Sequence, residues 1–419
     1  SGMKILFLTP QLPYPPDKGA TIRTLALMKG LAQRGHEIHL LSFINDEQDL
    51  AWLPQLRPYY AQVWTVEAPK RSTLTRLRTL LFSNLPDMAW RLPSREYADQ
   101  LGQLLEDDYD IVQVESIEMA RYGLQVIKER GRGRTQAMVV FDDLNAEHVL
   151  QKRAFDIDKR SPRKWPKALY SWLQWYRLRR YERQVCTTVD KVIAVSEPDA
   201  AALTALDPTI DVHVVPNGVD CTFFSQNVPP AEYPPTARIK HMASLVFTGT
   251  MDFRPNVDAM TWFWRDILPL IKKEAFHVHL YIVGKGPTPE VRALAGPAVT
   301  VTGYVSDIRP YIANSSVYVV PMRIGSGTRL KILEAMAMNI PVVSTTVGAE
   351  GLDVTPGEHI LLADTPADFA RHVIDLLNDA EKRRRLAGNA RRLVQHKYDW
   401  SAIVPALEKA YLEALYRQP

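Results

Sequence analysis

Cysteine is scarce: the 419-residue chain has two, Cys186 and Cys221. So few exclude a disulfide framework and a four-ligand zinc site. Two reduced thiols suit a cytoplasmic protein. Long hydrophobic runs are missing too. No apolar stretch reaches the roughly 18 residues that a membrane-spanning helix needs. "MKILFLTP" passes directly into a strand pattern, without a basic head and cleavage site ahead of it, so no secretory leader is expected. Charge of one sign is not in excess. A formal net charge of +4 is too weak to imply a nucleic-acid partner, and none is expected. The glycine-rich loops are incomplete. "GKGP" at Gly284 and "GSGT" at Gly325 lack the third glycine of the dinucleotide pattern, and neither is followed by Gly-Lys-Ser/Thr. Nicotinamide chemistry and ATP hydrolysis are therefore disfavoured.

What the chain does have is a repeated rhythm. Short, continuous apolar runs recur: "KILFLTP", "EIHLLSF", "QVWTVEA", "DIVQVES", "MVVFDD", "KVIAVS" and "VHVVPN". Continuous rather than alternating runs mark strands buried on both faces. Helical patterns lie between several of them. Thr21 to Arg34 is one, closed by Gly35, and Ser196 with Asp199 forms a capping-box start for another. Residues 223–241 are rich in proline and polar side chains and read as a linker. The rhythm then restarts with "SLVFTGT", "HVHLYIVG", "AVTVTG", "VYVVPM", "PVVSTT" and "HILLAD". The predicted fold is α/β: two doubly wound Rossmann-like domains, residues 1–222 and 242–398. Residues 399–419 form a C-terminal helix expected to pack back on the first domain. Ligands of such sheets bind outside the carboxyl ends of the strands, so a cleft faced by both domains is the expected site.

One connection stands out. In "VYVVPMRIGSGTRLKILEAMAMNIPVVS" a strand stops at Pro321, Gly325 and Gly327 follow, and a helix is predicted from about Thr328. Glycines there permit a tight turn and close approach of a ligand to backbone N–H groups. The positive helix end favours phosphate. Gly327, Lys331 and Glu334 are spaced to share one helix face, while Leu330, Leu333 and Ala337 share another. The plainer alternative is an ordinary turn with a surface Lys–Glu pair. "DDYD" at Asp107 to Asp110 precedes a strand instead of following one and reads as a solvated helix end rather than a metal-holding acidic motif.

Taken together, "PPDKGATIRTLALMKGLAQRGHEIHLLS", "VVPNGVD", "FTGTMDFRPNVDAMTWF", "LYIVGKGP" and "VTVTGYVSDIRPYIANSSVYVVPMRIGSGTRLKILEAMAMNIPVVSTTVGAEGL" resemble a family 4 retaining glycosyltransferase of the GT-B fold. The resemblance spans almost the whole chain in order. It implies transfer of a sugar from a nucleotide-diphosphate sugar to a hydroxyl acceptor in glycan, polysaccharide or glycolipid synthesis. The acceptor would be a saccharide, a lipid-linked sugar or a small molecule, and no cofactor or metal would be needed. By the resemblance, Glu334 holds the ribose hydroxyls and Lys331 meets the diphosphate. Gly249 and Arg254 fall where a second phosphate-binding cation belongs. Gly303, Tyr304 and Val305 fall in the base-contacting segment, and Gly19 in the glycine loop that closes over the donor. The family's first glutamate is replaced by Ser326, so backbone amides of Gly325 and Gly327, with Ser326 or Thr328, would hold the sugar. Asn339 replaces the usual glycine after the helix.

In the N-terminal half, Asp142 ends a strand where related enzymes carry an acid or histidine facing the reacting sugar. Asn145, His148 and Glu115 are acceptor-side candidates. In the alternative reading Asp142 or Asn145 caps the next helix and His148 is structural. Residues 159–184 carry nine Lys or Arg, one acid, three Trp and three Tyr. Such a helix suits an anionic membrane surface, which would put the protein at the inner face of the cytoplasmic membrane. "KRSTLTRLRTLLF" resembles it weakly. The plainer reading is a long helix with its Trp residues in the core. Two other functions stay open: a nucleotide-sugar 2-epimerase, and a non-catalytic sugar-nucleotide-binding protein.

Overall fold

Every apolar run quoted above becomes a parallel strand. The computed structural model describes residues 2–160, 162–225, 227–228, 243–325 and 329–416, without the side chains of residues 154 and 157. The first sheet has β1 (Lys4–Thr9), β2 (Glu37–Ile44), β3 (Gln62–Glu67), β4 (Ile111–Glu115), β5 (Met138–Asp143), β6 (Lys191–Ala194) and β7 (Val212–Val214) in the order β3-β2-β1-β4-β5-β6-β7. The second has β8 (Ser244–Thr248), β9 (His279–Val283), β10 (Val299–Val301), β11 (Val317–Val320), β12 (Val342–Ser344) and β13 (Leu361–Leu362) in the order β10-β9-β8-β11-β12-β13. All of β4, β5 and β9 is buried. Strands sandwiched between helices must be apolar on both faces, which is why the runs do not alternate.

Local signals act as read. The first long helix is Gly19–Gln33, and Gly35 takes the left-handed conformation that ends it (φ 89°). Ser196 accepts the Asp199 N–H at 3.2 Å and opens the helix Glu197–Thr204. Asn339, in the place of a glycine, turns left-handed (φ 61°) after the helix Leu330–Ala337.

The chain divides into two units, residues 1–216 with 403–419, and residues 217–402. The first boundary falls at Pro216 rather than 222. Val219 is buried in the core of the second unit, and its N–H donates to Tyr398 O at 2.8 Å. Most of the expected linker, residues 226 and 229–241, lies outside the described residues. The helix Trp400–Tyr416 carries the chain out of the second unit and back into the first. There Glu408 meets Arg34 at 2.7 Å, Glu413 meets the buried Lys191 ammonium at 3.0 Å, and Tyr411 donates to Gln113.

Candidate functional site

In the second sheet the strand order reverses between β8 and β11, and the chain leaves their carboxyl ends on opposite sides. A crevice at such a switch point is where doubly wound sheets take ligands. The loop after β8 contains Gly249, and the loop after β11 leads into the helix Leu330–Ala337. Lys331 Nζ donates to Asn256 Oδ1 at 2.9 Å and lies 4.1 Å from the centroid of the buried Phe247 ring. Asn256 is fixed in turn by its Nδ2, which donates to Thr250 O at 2.9 Å. Gly249 makes room for this arrangement. A Cβ there would stand 2.7 Å from Asn256 Nδ2 and 3.1 Å from Lys331 Nζ. Next to it, a Cβ on Gly284 would lie 1.7 Å from Gly249 O, so the two loops touch backbone to backbone.

The electrostatics are unusual. Burial pushes the Lys331 ammonium down to about 7, with Glu334 opposing and Arg329 adding to the shift. Burial pushes the Glu334 carboxyl up to about 7, with Lys331 opposing. Both side chains are enclosed on most sides yet keep part of their surface accessible. Among the described residues neither forms an ion pair. A cation and a carboxylate one turn apart are thus held poorly solvated, without contacting counter-charges. The helix that carries them starts at Arg329, which is left-handed (φ 60°) and supplies no side-chain cap. Its positive end therefore adds to the local demand for an anion.

The structure brings together Gly249, Lys331 and, one turn on, Glu334. Gly325 is close-packed: a Cβ there would meet Val347 at 3.0 Å and Glu350 at 3.3 Å. Ser326, Gly327 and Thr328 lie outside the described residues. Arg254 is exposed at the start of the helix Arg254–Trp262 and, among the described residues, makes no ion pair. Gly303, Tyr304 and Val305 follow β10. Gly303 is left-handed (φ 68°), Tyr304 is 76% exposed, and Val305 packs partly on the core. Arg329, unassigned by the sequence, donates through Nε to Glu350 O at 3.1 Å and anchors the loop. Asn256 and Phe247 were missed. The only signal for Asn256 was its place in "TMDFRPN", beside a loop already of interest.

The N-terminal unit corrects one expectation. Asp142 is not presented to a substrate. Arg23, from 119 residues earlier, takes both of its oxygens, Nε at 2.9 Å and Nη2 at 3.2 Å, with both side chains fully buried. Arg23 also donates to Pro216 O at 3.1 Å, the last residue of the unit's first segment. Glu115 lies beside this pair and accepts from Gln113 Nε2 at 2.9 Å. Burial and the Asp142 charge push its carboxyl above the usual carboxylate range. Neither Asp142 nor Asn145 provides the cap found for the next helix. The Glu147 N–H donates instead to Glu182 at 3.0 Å. His148 pairs with the same Glu182, and burial pushes it down to about 4. These groups hold the helix Glu147–Asp158 against Trp165–Thr188. Gly19 begins the first long helix. In "DDYD", Asp107 accepts from Lys4 Nζ at 2.5 Å and Asp110 from the Lys4 N–H at 2.8 Å. Among the described residues no three His, Cys, Asp or Glu side chains are grouped to hold a metal.

The chain is similar to known proteins. Residues 18–223 match Glycosyltransferase Family 4, and residues 243–379 match Glycosyl transferases group 1. A 44.6 kDa protein in the cps region of Klebsiella pneumoniae is 22% identical over 97% of this chain and 99% of its own length. A phosphatidyl-myo-inositol mannosyltransferase of Mycobacterium leprae is 29% identical over 48% of this chain and 53% of that protein, about half of each. The crystal structure of Anabaena HepE in complex with UDP and glucose shares the two-domain fold. Its TM-score is 0.64 at 16% identity, and the match covers 98% of this chain and 100% of that one.

Proposed function

Because the chain belongs to the family 4, group 1 glycosyltransferases, we propose that it moves a sugar from a nucleotide-diphosphate sugar to a hydroxyl acceptor, with retention and without a metal. The observation that carries the donor assignment is the Gly249–Asn256–Lys331 constellation at the β8/β11 switch point, with Glu334 one turn on. As the sugar C1–O bond to the diphosphate breaks, negative charge grows on the leaving phosphate. Lys331 and the positive helix end meet that charge where little water competes, and such preorganised stabilisation is usually the largest catalytic contribution. Arg254, exposed at the start of the neighbouring helix, would close on the same diphosphate. Glu334, as a carboxylate, accepts the ribose hydroxyls, and Tyr304 offers a ring to the base. The acceptor oxygen forms the new bond on the face the phosphate leaves, and its proton passes to the leaving phosphate oxygen. No side-chain nucleophile is required, which agrees with Asp142 being closed into an ion pair.

The acceptor is taken as a glycan or glycolipid, and the protein as peripheral to an anionic membrane. Two faces support this. On the helix Trp165–Thr188, Trp165, Leu169, Trp172 and Tyr176 follow helical spacing and are all exposed, Leu169 to 67%. On the helix Thr73–Phe82, Leu74, Leu77, Leu81 and Phe82 are exposed, Phe82 to 85%. The Trp165 and Trp172 side chains are therefore not in the core, against the plainer reading. Among the described residues no helix is long and apolar enough to cross a membrane.

The test is incubation of purified protein with UDP-, GDP-, TDP- and ADP-sugars, with and without a hydroxyl acceptor. Transfer that keeps the anomeric configuration is expected only with acceptor. An epimer of the donor sugar formed without acceptor would sink the transferase reading.

A further inference from the structure

Two hollows lie side by side on the N-terminal unit, and their chemistry differs. The first, about 540 Å³, opens at the carboxyl ends of β1, β2 and β3, where Gln11, Asn45 and Pro69 line it. Its cations gather around Asp87. Arg71 is 2.8 Å from one carboxylate oxygen, and Arg76 and Arg91 are each 3.9 Å from the other. Arg91 also pairs with Glu118 at 2.8 Å. Three guanidinium groups thus face two carboxylates, and Arg71 Nε is buried without an acceptor among the described residues. The second hollow, about 250 Å³, shares Arg76 and Asp87 with the first and runs beneath the helix Thr73–Phe82. Its walls are Leu77, Leu80, Leu85, Trp90 and Tyr170. Arg177 braces the wall by donating to Leu80 O at 2.9 Å, while its Nη1 is buried without an acceptor among the described residues.

We propose that the two hollows form one acceptor site for an amphiphile with a phosphate-bearing head. The phosphate sits among Arg71, Arg76 and Arg91, and the apolar chain lies in the adjoining leucine-lined groove. The inference rests on the transferase reading and deepens it by naming the acceptor's class. Guanidinium forks match phosphate oxygens in pairs, and a surplus of them beside an unsatisfied N–H calls for an anion. The groove needs an apolar occupant to exclude water from its walls. A plain saccharide has neither the negative charge to match the guanidinium groups nor an apolar chain to fill the groove. Leu77 both lines the groove and stands 51% exposed, so a chain longer than the groove leaves it along an apolar face.

The probes are dodecyl phosphate, dodecyl maltoside and inorganic pyrophosphate, titrated below micelle formation and read by calorimetry and tryptophan fluorescence. Dodecyl phosphate is expected to bind at least about tenfold more tightly than either of the others, since it alone makes both kinds of contact. Arg76→Gln with Arg91→Gln, and separately Leu77→Asp, should each weaken it by about tenfold or more. All three side chains are largely exposed, so these variants should fold, and their melting temperatures check that they do. Nucleoside-diphosphate binding, measured on the same variants, should not change. Its absence in every variant and in the parent would count against the transferase reading instead. The site is overturned if dodecyl maltoside binds equally well, which leaves only a greasy surface, or if pyrophosphate does, which leaves a free-phosphate site. Variants that bind dodecyl phosphate as the parent does would overturn it too.

Discussion

Lys331 and Glu334 each hold a proton balance against their surroundings. Lys331 falls from its ordinary 10.5 to about 7 on folding. The unfolded chain therefore binds the extra proton between about 7 and 10.5, and this group's contribution to stability rises with pH through that window. Glu334 rises from 4.5 to about 7. Here the folded chain binds the extra proton, and its contribution falls as pH rises from 4.5 to 7. The pair stabilises the second unit least near neutrality. The diphosphate proposed to bind there would supply the missing negative charge and restore the Lys331 proton. At pH 8, nucleoside-diphosphate binding should therefore take up protons. Calorimetry in buffers of different ionisation enthalpy should show this, and the uptake should vanish in Lys331→Met. Equal heats in all buffers would contradict it. Lys331 and Glu334 were legible because a spacing of three on a helix fixes a shared face. Asn256 was not, because its side chain is turned toward Lys331 by a hydrogen bond to Thr250 O. Asp142 was misread because nothing in its neighbourhood announces Arg23, 119 residues away.

At the scale of elements, the site depends on two glycine loops pressed together. Gly284→Ala would drive a methyl group to 1.7 Å from Gly249 O. Backbone cannot yield as a side chain does, so a loss of about 1–3 kcal/mol in urea unfolding is expected. Gly249→Ala instead meets side-chain ends, Asn256 at 2.7 Å and Lys331 at 3.1 Å. They can swing away, but at φ 154° a Cβ strains the backbone whatever the space, so Gly249→Ala should lose stability too, and in addition at least about tenfold in nucleoside-diphosphate affinity, the loss of a charge-assisted contact. Full nucleoside-diphosphate affinity in Gly249→Ala would contradict this. The strands were legible because burial on both faces leaves an unbroken apolar run, as in β4 and β9. The helix Trp165–Thr188 was not fully so. Composition shows many aromatics and arginines, but not that Ser171, Gln174 and Glu182 face inward while Trp165 and Leu169 face out.

For the whole molecule, the chain's end is part of its first unit. Gly30 has no side chain because Val404 of the last helix approaches closely, 2.4 Å from where a Cβ would be. Tyr411 reaches a buried polar group of Gln113, Glu115, Asp142 and Arg23, and Arg23 binds the carbonyl of Pro216, where the chain leaves the unit. Tyr411→Phe leaves that group a donor short and should cost about 1–3 kcal/mol in the first unit, read by urea unfolding. An unchanged midpoint would show that the link is not structural. In the second unit, the β8/β11 crevice is proposed to take a nucleoside diphosphate. A thermal-shift screen of UDP-, GDP-, TDP- and ADP-sugars tests it most directly, because a ligand that binds only the folded state raises its stability. One base should give a concentration-dependent rise in melting temperature, and Lys331→Ala and Glu334→Ala should each weaken that ligand by at least about tenfold, or ~1.5–3 kcal/mol. No shift with any of the four, or a shift that both variants keep in full, would contradict it.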